Sequence, residues 1–77
     1  MTFKEAVDEM KRLAGERPWS FEYRVGSFYS GRPFIRGYID PYGHARESTT
    51  YAGAIRNVKI MLGLETEEAD PAPEEGE

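Results

Sequence analysis

The apolar residues of this chain change their spacing at Pro18, and that change constrains the fold more than any other feature. Before it, Phe3, Ala6, Val7, Met10, Leu13 and Ala14 recur at intervals of three and four, laying one apolar stripe along a helix over residues 3–14. After it, Trp19, Phe21, Tyr23 and Val25 alternate with Ser20, Glu22, Arg24 and Gly26, as in a strand with one buried face. A chain that switches from helical to strand period must pack the helix stripe on the sheet face.

The boundaries have their own chemistry. Thr2-Phe3-Lys4-Glu5 fits a capping box, and Lys11, Arg12 and Gly15 suit a helix end closed by Pro18. Gly26 is expected to mark a bulge before Phe28 and Tyr29, and Ser30-Gly31-Arg32-Pro33 to turn the chain into a second strand, residues 34–40. In that strand Ile35 and Ile39 point to the core, while Phe34, Arg36 and Tyr38 point away. Asp40-Pro41-Tyr42-Gly43 matches a type I turn. It forces the chain back, so His44 to about Glu47 is expected to form an antiparallel third strand.

Ser48, Thr49 or Thr50 can cap a second helix carrying the stripe Tyr51, Ile55, Val58 and Leu62, with Arg56 and Lys59 outward and Gly63 as its stop. The small run Ala52-Gly53-Ala54 predicts close approach of this helix to the sheet, because a helical glycine costs about 1 kcal/mol against alanine. The expected fold is α+β: an α-β-β-β-α chain with a three-stranded antiparallel meander and both helices packed on one face. Trp19, Phe21, Tyr23, Val25, Ile35 and Ile39 form the sheet's share of the core.

Charge divides the chain into two parts. Residues 1–64 hold all ten Lys and Arg and seven acids, a net +3, whereas residues 65–77 hold seven acids and no base. With Glu, Asp, Pro, Ala and Gly and no large apolar residue, the second part cannot offset its ordering entropy and is expected to be a disordered acidic tail on a single 1–64 domain. Seventy-seven residues without cysteine exclude disulfides and thiolate metal sites. The longest apolar run, Ile60-Met61-Leu62, is far short of the roughly 20 residues of a membrane span, so a cytoplasmic protein is expected, with no membrane partner.

A catalytic set is not apparent. Outside the first helix the body offers only Glu22, Asp40 and Glu47 as acids, and Asp40 opens a turn. His44 is read as an exposed or locally bonded histidine, and helix capping accounts for the hydroxyls at 48–50. No phosphate loop, metal-spaced histidine pair or nucleophile elbow is present. The chain is therefore read as non-enzymatic, with no cofactor and no metal.

The candidate binding surface is the outward sheet face, which alternation gives Glu22, Arg24, Phe34, Arg36, Tyr38, His44 and Arg46. Of these, Arg24, Phe34, Arg36, Tyr38, His44 and Arg46 are the candidate contact residues. Arg and aromatic side chains suit a protein partner or a second copy of the chain. They equally suit single-stranded nucleic acid, with bases stacked on Phe34 and Tyr38, phosphates on Arg24, Arg36 and Arg46, and the acidic tail competing for the same face. The bland alternative is a set of cross-strand Arg–aromatic pairs that shield the sheet. The leading expectation is a protein-interaction module, and single-stranded nucleic-acid binding is the alternative.

The α-β-β-β-α order over about residues 3–63 resembles that of double-stranded-RNA-binding domains. That family grips phosphates with a lysine cluster at the start of its last helix. The corresponding Thr50-Tyr51-Ala52-Gly53-Ala54-Ile55 has none, and only Arg56 and Lys59 follow, so the resemblance implies element order and carries over no contact residue. In general character, a very small domain with an acidic segment is also similar to phage-encoded inhibitors of host machinery, which implies occlusion of a partner's surface or imitation of nucleic acid by the tail.

Overall fold

A computed structural model describes residues 1–25 and 31–66. The bulge expected at Gly26, with Phe28 and Tyr29 beyond it, the first residue of the expected turn, Ser30, and the tail from residue 67 lie outside the described residues. The elements run α1 (Phe3–Ala14), β1 (Trp19–Arg24), β2 (Phe34–Ile39), β3 (Gly43–His44) and α2 (Tyr51–Met61). The class is α+β, with an antiparallel sheet in the order β1-β2-β3 and both helices on one face.

Both helix starts depend on threonine. Thr2 Oγ1 accepts from Glu5 N–H at 3.1 Å while Thr2 N–H donates to Glu5 Oε1 at 2.8 Å, completing the capping box. Thr50 is the cap of α2, its Oγ1 accepting from Gly53 N–H at 3.0 Å. The C-terminal stop of α2 is a Schellman turn: Leu64 N–H reaches Lys59 O at 2.8 Å and Gly63 N–H reaches Ile60 O at 3.0 Å, with Gly63 at φ 82°.

The sheet register pairs Trp19 with Ile39, Phe21 with Gly37 and Tyr23 with Ile35 on the helix side. At the centre of that face Gly37 has no side chain. A Cβ there would lie 2.7 Å from Val58 Cγ2 and 3.0 Å from Met10 Cε and Sδ. The residue that lets the helices approach the sheet is thus Gly37 of β2. Gly53, assigned that task by the small run in α2, instead makes room for Ser48 and Thr50 of its own cap, while Ala54 is the fully buried residue of the run.

Three further expectations change. The third strand is two residues long and ends at His44. Tyr38 pairs with His44 but Ile35 bridges to Ser48, so residues 45–47 face only residues 36–37: one extra residue makes a bulge that ends the ladder before Glu47. Val25 lies beyond β1 and is 56% exposed, and Tyr23 is 48% exposed, because the helices begin at this end of the sheet and leave it partly uncovered. Arg56 and Lys59 do not simply face outward. Arg56 Nε donates to Glu65 Oε1 at 2.9 Å and its Nη2 to Thr66 O at 3.3 Å, holding the first two residues assigned to the tail, and Lys59 Nζ approaches Glu9 of α1 at 3.8 Å. The Asp40–Tyr42 turn closes the β2–β3 hairpin through a cis Asp40–Pro41 peptide.

Gly37→Ala is expected to destabilise the fold by about 1–3 kcal/mol, because the new methyl overpacks a filled contact and Val58 is too short to swing away. Urea unfolding of the two chains measures it, and an unchanged midpoint would mean that Met10 and Val58 yield freely.

Candidate functional site

The open face of the sheet is built by the even-numbered residues of β1 and β2. Register places Ser20 opposite Tyr38, Glu22 opposite Arg36 and Arg24 opposite Phe34, with His44 beyond Tyr38. Five of the six candidate contact residues, Arg24, Phe34, Arg36, Tyr38 and His44, therefore share one surface. Arg46 lies past the bulge, outside the paired register. Its carbonyl accepts from Asn57 Nδ2 at 3.0 Å, and it borders a shallow groove of about 170 Å³ between β3 and α2, lined by His44, Ala45, Arg46, Asn57, Ile60 and Met61.

Glu22 organises this face. Its Oε1 accepts from Arg36 Nε at 2.7 Å and its Oε2 lies 2.6 Å from Arg24 Nη2, so both carboxylate oxygens are engaged. The hydrogen bond from Arg36 holds the Glu22 carboxyl below its ordinary value, and the charges of Arg24 and Arg36 reinforce it against the opposing effect of burial. Arg36 also lies over the Phe34 ring, 5.3 Å from its centroid. At the other end the Tyr38 hydroxyl donates to Asp40 Oδ1 at 3.2 Å, which raises its pKa, and the Tyr38 ring sits 5.0 Å from His44. Two arginines are thus opposed by Glu22 and Asp40 on the same surface, and the face is close to neutral.

A second surface escaped the reading of the sequence. Phe3, Phe21, Tyr23 and Tyr51 gather at the end of the helical layer, with ring centroids 5.8–6.2 Å apart for Phe3–Phe21, Phe3–Tyr51, Phe21–Tyr51 and Tyr23–Tyr51. Phe3 is 50% exposed, so the cluster is half core and half surface. The signal for it was present. Each helix opens on threonine followed by an aromatic, and four successive chain reversals make α1 and α2 parallel, which brings Phe3 and Tyr51 to the same end.

Among the described residues no group of three or more His, Asp or Glu is placed to hold a metal ion, and no helix is long and apolar enough to cross a membrane. No family model matches the chain, and no curated protein or solved structure is significantly similar to it.

The lowered pKa of Glu22 fixes the sign of a pH effect. A carboxylate whose folded pKa is depressed contributes stability that is complete above its unfolded value, here an ordinary 4.5, and that is lost as pH falls through the folded value. Glu22→Gln is expected to lower Tm by about 2–5 °C at neutral pH. The difference from the unaltered chain should then shrink in acid. Thermal melts across pH measure it; a difference independent of pH would show that Glu22 acts through packing and not through its charge.

Proposed function

We propose that the protein is a non-enzymatic interaction module whose open sheet face forms the centre of an interface with another folded protein. The observation that carries this reading is the Glu22 bridge between Arg24 and Arg36. It spends both arginines on a carboxylate already present on the face, which leaves a flat, nearly neutral surface of Phe34, Arg36 and Tyr38. Such a surface favours a protein partner over a phosphate backbone, whose binding depends on uncompensated positive charge.

Size narrows the partner further. Two strands of six residues and one of two, at about 3.3 Å per residue and about 4.8 Å between strands, cover roughly 220 Å². Even doubled for side-chain relief, that is below the ~800 Å² per partner of a standard stable interface. The sheet face alone is too small for a permanent dimer of this chain. It suits a transient contact, or a partner that reaches past the sheet to adjoining surfaces.

The double variant Arg36→Ala with Tyr38→Ala tests this function. It is expected to keep the cooperative unfolding transition, since both side chains lie on the solvent side, and to lose the protein that the unaltered chain retains from a nuclease-treated lysate. Retention should change little with salt. Retention that depends on nucleic acid, with a log-log salt slope of about −0.7 per phosphate contact, would support the single-strand reading instead. A double variant that unfolds would make the two residues structural.

A further inference from the structure

The chain leaving α2 is held beside the middle of that helix and not beyond its end. Leu64 N–H reaches Lys59 O at 2.8 Å, and further back Arg56 binds Glu65 through Nε at 2.9 Å and the Thr66 carbonyl through Nη2 at 3.3 Å. The next residue of the helix binds a different segment. Asn57 Nδ2 donates to Arg46 O at 3.0 Å and to Glu47 O at 3.4 Å. Two consecutive residues of α2 thus hold Thr66 on one flank and Arg46 on the adjoining one.

The groove of about 170 Å³ between β3 and α2 opens on the Asn57 flank, and its lining holds Arg46 and His44 with no acid. The Arg46 guanidinium carries five N–H donors, so one interaction does not exhaust it. The flank toward α1 offers nothing comparable. There Arg12 donates to both Glu9 oxygens at 2.7 and 2.9 Å, and Glu9 lies 3.8 Å from Lys59, so its charges are matched among themselves. Lys4 is likewise paired with Asp8, and Arg24 and Arg36 with Glu22.

We infer that the β3–α2 groove is the seat of this chain's own acidic segment, Glu67–Asp70, with its carboxylates on Arg46. Residues 67–77 carry six acids and no base, and Glu67-Glu68-Ala69-Asp70 follow Thr66 directly. The reach is sufficient: four extended residues cover about 13 Å, and the breadth of a helix is about 10 Å. Charge then selects the Arg46 flank over the flank already matched by Glu9 and Arg12. Seated there, the segment borders His44 and so the β3 side of the open sheet face. A partner that reaches past the sheet on that side must displace it. Arg56 and Asn57 place the segment whether or not the open face binds a protein.

A nitroxide attached to the full chain through Ala72→Cys tests this, because the sequence has no other cysteine. At about 0.15 M salt, where charges are screened beyond about 8 Å, paramagnetic broadening should remove the amide signals of His44, Ala45 and Arg46 and spare those of Glu5, Glu9 and Arg12. Neutralising the segment with Glu67→Gln, Glu68→Gln and Asp70→Asn should erase that difference without touching the folded residues. Raising salt to about 1 M, where the screening length is about 3 Å, should do the same. Arg46→Gln should also erase it, with the remaining amide signals in place to show that the fold is kept. Equal broadening of the two flanks overturns the inference, as does a loss at His44, Ala45 and Arg46 that survives both charge removal and salt. So does broadening of isotope-labelled chain mixed with a separate nitroxide-bearing chain, which would seat the segment on a second copy.

Discussion

The missing side chain at Gly37 is the constraint on which the arrangement rests. Met10 from α1 and Val58 from α2 both reach the sheet over that one position, and all three residues are buried. Any Cβ there would push the helices off the sheet or apart from each other. Close approach is needed because the core is small in residue size as well as number. Ala6, Ala14, Ala45 and Ala54 occupy four of its buried positions, and the largest fully buried side chains are Met10, Ile35, Ile39 and Val58. Small residues bring backbones near, and dispersion contacts across short distances replace the bulk that a larger domain would bury.

Concentrating the core at Gly37 has a cost at the ends of the layer. Trp19 packs against the core from the other end of β1, opposite Ile39, while Phe3, Phe21, Tyr23 and Tyr51 collect where the helices start. Phe21 and Tyr51 are half-buried there, and Phe3 and Tyr23 remain about half exposed. At the opposite flank of the sheet the bulge after His44 turns the chain toward α2, where Asn57 holds the carbonyls of Arg46 and Glu47 at 3.0 and 3.4 Å. That side chain offers the backbone a substitute for the ladder, which is why the strand stops short of its polar, strand-compatible continuation.

Local chemistry was legible in the sequence; relations between distant residues were less so. The capping box at Thr2 and Glu5, the period change at Pro18, and the stop at Gly63 each depend on residues a few positions apart, and each stands where the pattern puts it. The open face was legible as far as alternation holds, through Arg24, Phe34, Arg36, Tyr38 and His44. Arg46 lay past a one-residue slip that no local pattern announces. The role of Glu22 was missed for a different reason: alternation shows which face a side chain takes, but not that register sets one carboxylate between two arginines. Gly53 was misread because a glycine in a first helical turn has the same sequence whether it makes room for a sheet or for its own cap.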